Sequence, residues 1–398
     1  MGFHLKRLAN PYTIFVIAWS ICLYLYSLNW AGIFPPISAS LYIFLIILIV
    51  IFAVIGFFYN YLKFPFSSME PIKLNYKMLL LIVTLLWLPN FAYSGIPIIN
   101  SVRDDDFGIP IFKVFVLSFN CFLSVYGFYL FLFSGKKKYL LGTAYCLFFF
   151  VLLISRGTII MCLSTMFFLW INVKKPVITI KKFLGIFVGL ISIIYLFGVA
   201  GNWRTIKDIS SYSPTFDDSY NSDVILKLGD ASDSFKHNII PNEFFWTYLY
   251  VTSPLSNLEY NVEKNSPSFT LSNAFSLFTN EILLDAVSKR VDESFNIKPK
   301  KPDLIVEQLT VCTTLAGSYD YAGWGGMVFF MVLFSVFPLA YICLILKNPL
   351  GVIGIATLCT MFFFSMFDNM LILSGLTTQL LFPILFSFIN RVKLSKAD

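Results

Sequence analysis

Ile154-Ser155-Arg156-Gly157-Thr158 lies in the middle of 35 residues, Tyr139 to Val173, whose only charge is Arg156. Insertion of an arginine at the centre of a bilayer costs roughly 2.5–3.5 kcal/mol, so its persistence in such a run needs a reason. A single crossing takes about 20 residues, and 35 are the length of two crossings joined by a tight turn. On this reading Gly157 supplies the turn and Arg156 stands at its tip, at the membrane surface. It is there either as an interfacial anchor or to hold an anionic group.

The rest of the composition agrees with a membrane location. The chain is 58% hydrophobic and 13% charged with mean hydropathy +0.77, values of a polytopic membrane protein. Lys6 and Arg7 precede the first apolar run as in a signal peptide, but no small-residue cleavage site closes it, so it reads as a retained helix. The expected fold is an all-α polytopic integral membrane protein with about ten transmembrane helices, over 12–31, 38–59, 78–94, 110–133, 139–155, 158–173, 183–201, 322–346, 350–367 and 370–390.

Charge placement tests that count. With the N-terminus inside, the inner connections carry net +14 and the outer ones net −7, and the sides alternate cleanly. Both termini are then cytoplasmic. The net charge of +7 is a topology signal and implies no nucleic-acid partner. Residues 1–201 form the first seven spans, 202–321 a large outward loop, and 322–398 the last three spans and a cytoplasmic tail.

The 202–321 loop holds 16 acidic and ten basic residues and is long enough that it should fold. Glu243 opens a helix that continues through the aromatic run 244–250 and stops before Pro254; its aromatic density suits the headgroup belt. A second helix is expected from about Ser272 to Arg290, with Phe275, Phe278, Ile282 and Ala286 on one face.

Familiar catalytic signatures are absent. There is no phosphate-binding G-x-x-x-x-G-K, no H-E-x-x-H and no G-x-S-x-G, and two histidines, His4 and His237, cannot build a metal cluster. Six of the seven cysteines fall inside apolar spans and form no framework. Asp104-Asp105-Asp106 has the D-x-D spacing of a cation site, but reads first as a solvated loop tip. No cofactor and no metal are called for.

Arginines recur at membrane edges: Arg156, Arg204 after Gly201-Asn202-Trp203, Arg103, and Arg290 at the end of the second loop helix. A guanidinium is a planar fork that fits phosphate bidentately and stays charged. As candidate phosphate ligands we take Arg156, Arg204 and Arg290.

Ser155-Arg156-Gly157, Gly201-Asn202-Trp203-Arg204, the run Tyr250-Val251-Thr252-Ser253-Pro254-Leu255-Ser256-Asn257-Leu258, and the glycine-rich stretch from Thr313 through Asp320 to Gly326 occur in this order along the chain. Together they resemble the Wzy-type O-antigen polymerases, the oligosaccharide repeat-unit polymerases of bacterial surface polysaccharides. The resemblance covers roughly residues 139–345; Tyr321-Ala322 departs from it where the family more often has Phe-Gly. It implies a membrane glycosyltransferase of the bacterial cytoplasmic (inner) membrane. Such an enzyme moves a growing glycan from undecaprenyl pyrophosphate onto a lipid-linked repeat unit at the outer face, in O-antigen or capsule biosynthesis. The implied partners are the undecaprenyl pyrophosphate-linked oligosaccharide, membrane lipids and a chain-length regulator. The chemistry needs fixed arginines for the leaving pyrophosphate and a base for the attacking hydroxyl. His237, Glu243 and Asp320 are the candidates for the base. Two other readings are an O-antigen ligase, which His237 keeps open, and a flippase or transporter of the same lipid-linked sugar, which would want repeated halves and polar residues within spans.

Overall fold

The computed structural model describes residues 3–4, 9–62, 74–100, 107–212, 219–346 and 348–394. Asp104-Asp105-Asp106 and Arg103 lie outside the described residues. The first half of the chain forms α1 (Pro11–Ser27), α2 (Ala39–Tyr61), α3 (Tyr76–Ser94), α4 (Pro97–Asn100), α5 (Phe112–Ser134), α6 (Lys137–Leu152), α7 (Arg156–Lys174) and α8 (Ile180–Tyr212). Then come α9 (Asp223–Leu228), α10 (Asp233–Lys236), α11 (Glu243–Lys264), α12 (Leu271–Glu281) and α13 (Asp285–Phe295). The chain closes with α14 (Ala316–Ile345), α15 (Gly351–Phe364), α16 (Ser374–Thr377) and α17 (Leu381–Leu394). Strands are confined, among the described residues, to a two-residue antiparallel pair, β1 (Phe3–His4) with β2 (Val177–Ile178).

Among the described residues, six stretches are long and apolar enough to cross a membrane: Ala39–Tyr61, Tyr76–Asn100, Phe112–Ser134, Arg156–Lys174, Ile180–Ser210 and Ala316–Ile345. Pro11–Ser27, Gly351–Phe364 and Ser374–Phe388 are apolar but shorter. The fold is thus all-helical with several membrane-length helices. Its helix bounds also differ from the apolar runs at two places that matter. α8 continues without a break through Gly201-Asn202-Trp203-Arg204, so a boundary at 201 falls inside a helix. The other boundary, at 321, falls at a kink inside α14, where Ala322 and Gly323 leave helical geometry.

α5 is the axis of the bundle: 72% of its span is buried, against 6% for α8, whose apolar residues such as Leu184, Ile193 and Leu196 stay uncovered. A central helix must satisfy its polar groups internally. Asn120 Nδ2 donates to Cys146 O (2.9 Å) on α6, and Ser124 O accepts from Thr143 Oγ1 (3.0 Å). The other pole of the core is aromatic, with Phe15, Phe52, Phe334 and Phe362 stacked between α1, α2, α14 and α15.

The 202–321 region folds on this bundle. α11 does not stop before Pro254; it runs on to Lys264 with the proline inside it. A proline mid-helix removes one backbone bond, and here the helix is held from outside. Asn257 Nδ2 donates to Leu309 O (2.8 Å) and Val311 O (2.9 Å) while its Oδ1 accepts from Ile305 N; Asn261, one turn on, makes the same exchange with the backbone of Asp303. These two asparagines staple residues 303–311 to α11. Nor does the aromatic run 244–250 lie against lipid as one face. Phe245, Tyr248 and Leu249 are buried in a small core with Ile225, Leu226, Ala231 and Phe235, and Trp246 packs where a side chain at Gly201 would collide with it.

The helix expected over 272–290 is two, α12 and α13, broken at 282–284. The break has a tertiary cause: Asp285 N donates to Ile372 O (3.1 Å), and Asn369 Nδ2 donates to both the backbone O and Oε2 of Glu281 (2.8 Å each). The connection between α15 and α16 therefore takes the place of continued helix.

Candidate functional site

Arg156 begins α7, as its isolation in the sequence suggested, but Gly157 does not make the turn. Gly157 is helical with open space around it, and the left-handed residue is Ile154 (φ 57°). A β-branched residue there is strained, and strain of that kind gathers at functional sites. Its effect is to direct Ser155, Arg156 and Thr158 into a cavity of about 460 Å³ whose far wall is Leu373, Leu376 and Gln379 of the α16 region. Ser155 Oγ and Thr158 Oγ1 are 2.8 Å apart and bond each other, so the N-terminal N–H groups of α7 have no side-chain cap. Uncapped N–H groups, a helix N-terminus and an exposed guanidinium together make a surface suited to an anion.

Asp320 sits in the second turn of α14, which starts at Ala316, just before the kink. Gly323 at that kink has φ 59°, and a side chain there would run into the carbonyl of Pro267. The close approach folds the 265–267 segment over Asp320, which is 8% exposed and has no hydrogen-bond partner on either carboxylate oxygen. Asp320 forms the floor of an open cavity of about 440 Å³ with Asn265, Ser266, Pro267, Lys300 and Lys301. Lys300 is tied to the frame: its Nζ donates to Asp320 O (2.9 Å) and its backbone N–H to Tyr321 Oη (2.9 Å).

One turn from Asp320 lies a buried acid that sequence reasoning missed. Glu281 ends α12, and a side chain at Gly317, one turn before Asp320, would collide with its carboxylate. Burial pushes the Glu281 carboxyl up to about 8, against the hydrogen bond from Asn369 and with help from the like charges of Asp368, Asp320 and Asp285. Burial likewise raises Asp285 and Asp368. Only the charge of Glu281 among Phe278, Ile282 and Leu283 hinted at it in the sequence; Asn369 is 88 residues away.

The raised value sets a pH dependence. An unfolded glutamate loses its proton near 4.5 and the folded one near 8, so between them the unfolded state holds fewer protons. Stability then falls as pH rises through that window, by up to about 1.4 kcal/mol per unit. Glu281→Gln keeps the acceptor for Asn369 without the charge, and is expected to melt several degrees higher at pH 8 with a flatter profile from pH 5 to 8. Melting curves of the detergent-solubilised protein across that range check it; parallel profiles for the two proteins would remove the assignment.

The other candidates stand apart. Arg204 is exposed on α8, its guanidinium 5.9 Å from the Trp246 ring centre, at the edge of a separate cavity of about 330 Å³ lined mostly by apolar residues such as Ile225, Leu228 and Leu249. That cavity shares no residue with the one at Arg156. Arg290 is exposed on α13 and lines neither. The three arginines are therefore not a single clamp. Among the base candidates, Glu243 is buried in the first turn of α11 and accepts from the Tyr220 hydroxyl (3.0 Å). His237 is exposed at the end of α10, its Nδ1 2.9 Å from Asp233 O. Only Asp320 combines burial, unpartnered oxygens and a cavity. Comparison with protein-family models, with curated proteins and with solved structures finds no match for this chain.

Proposed function

We propose that this chain is a membrane glycosyltransferase, a repeat-unit polymerase that elongates a bacterial surface polysaccharide from undecaprenyl pyrophosphate-linked oligosaccharide. The observation that carries the reading is the Arg156 cavity: an exposed guanidinium beside an uncapped helix N-terminus, bordered by the same 365–379 connection that grips Glu281 and Asp285 near Asp320. In the reaction, the acceptor hydroxyl oxygen attacks the anomeric carbon of the donor sugar, and the bond from that carbon to the pyrophosphate oxygen breaks. The negative charge that develops on the leaving lipid pyrophosphate is met by Arg156 and the first turn of α7. The hydroxyl proton passes to Asp320. Arg204, Arg290, Glu243 and His237 take no part in these two roles.

The location belongs to the proposal as well: the cytoplasmic membrane, both termini inside, the 202–321 region outside, and a chain-length regulator as protein partner. The pairing of residues 3–4 with 177–178 supports it, since both fall on the inner side of the charge-derived topology. The test is the surface polysaccharide of a strain lacking the gene, resolved by size. A product capped with one repeat unit is expected. Bare core with lipid-linked polymer accumulating would mean a ligase, and lipid-linked single units held in the inner leaflet would mean a flippase.

A further inference from the structure

The cavity over Asp320 is built for more than proton transfer. Both of its lysines are on the rim, and the nearest other carboxylate on that side, Asp303, is already paired with Lys264 (2.8 Å). Lys301 has no partner among the described residues, and the Lys300 ammonium, which donates to Asp320 O and lies 5.6 Å from the Tyr321 ring centre, has only the single carboxylate of Asp320 nearby to offset the two lysine charges. The walls are held in place by backbone bonds. Tyr319 Oη donates to Asn265 O (2.9 Å), Asn261 grips both backbone groups of Asp303, and the positive φ of Gly323 fixes Pro267 overhead. A volume of about 440 Å³ is within the range of small-molecule sites.

A ligand that completes this site must donate to the unpartnered oxygens of Asp320 and bring negative charge to Lys300 and Lys301. A neutral hexose offers only the first, and a bare anion only the second. We infer that this cavity is the acceptor-sugar subsite and that it takes an anionic sugar, one whose ring carries both free hydroxyls and a carboxylate. A hydroxyl donates to Asp320 and the carboxylate faces the two lysines. The inference deepens the reading above and rests on it only in taking the ligand to be a sugar.

The test is direct binding to the full-length protein in detergent micelles, by saturation-transfer NMR titration, with glucuronate and glucose as probes. A charge-assisted bond is worth roughly 1.5–3 kcal/mol, so glucuronate should bind at least about tenfold more tightly than glucose. Lys301→Glu should erase that preference, and Asp320→Asn, nearly isosteric, should weaken both sugars. Equal affinity for the two sugars, no binding of either, or glucuronate binding unchanged in both variants overturns the inference. The readout is independent of catalysis. If glucuronate fails while deletion of the gene still gives single-unit product, the subsite alone is wrong. If glucuronate binds but deletion leaves chain length normal, the polymerase reading is wrong and the sugar site stands.

Discussion

Replacing Arg156 with alanine is expected to abolish long polysaccharide chains while the protein remains inserted and folded. The side chain is exposed at the first position of α7, and Ser155 and Thr158 still bond each other without it, so little packing is lost. What is lost is the single cation of a cavity that otherwise offers backbone N–H groups, hydroxyls and the amide of Gln379. Removing a donor aimed at developing negative charge costs roughly 10²–10³ in turnover. Lysine should rescue poorly, because a point charge does not reproduce the bidentate fork. Arg290→Ala, an equally exposed arginine on α13, is the internal comparison and should stay within about twofold. Normal chain length in Arg156→Ala would remove the pyrophosphate assignment, and equal damage from Arg290→Ala would show that the effect is one of general charge.

The second large effect is expected at Asp320. Asparagine keeps the shape but cannot take a proton, and loss of a general base costs roughly 10²–10⁴ in rate. Turnover of lipid-linked repeat units by the purified protein should fall by that amount, with the affinity for the lipid pyrophosphate donor unchanged because Arg156 is intact. His237→Ala and Glu243→Gln should retain activity: the first side chain is at the surface, and the second variant still accepts from Tyr220. A full-rate Asp320→Asn would move the proton elsewhere, and a loss of donor affinity would make Asp320 a binding group.

These two residues show what was legible in the sequence and what was not. Arg156 stood out because a charge inside an apolar run is costly wherever it is placed, so its isolation alone marked it. The long apolar helices were legible for the same reason, from composition and length. Ile154 was invisible as a turn residue, since a glycine three positions on is the better local choice and tertiary packing overrode it. The break between α12 and α13 was equally hidden, because 272–290 keeps a helical period and is interrupted by Ile372 and Asn369 from a distant segment. Arginine spacing suggested one phosphate clamp; the paths of α7 and α8 separate Arg156 from Arg204, and nothing local encodes those paths. Pro254 marked a helix end by propensity and sits mid-helix, with Asn257 and Asn261 fastening that stretch to residues 303–311.

α1 leads the chain, yet its partners come from far along it. Residues 3–4 pair with 177–178, Ala31 bridges to Ala231, Trp19 donates to Ser365, and Tyr12 to the backbone of Ser335. At a synthesis rate of roughly 5–20 residues per second, Ala31 waits on the order of 10–40 s for Ala231 to be made, and Trp19 waits longer. During that interval α2 already covers part of Tyr12 and Phe15 through Phe52 and Tyr59, while the sides of α1 that later meet α14 and α15, Trp19 among them, must be covered by lipid or by the insertion machinery. α1 is thus among the last helices to reach its final packing, and truncations ahead of α15 should leave its Trp19 face accessible in the nascent protein.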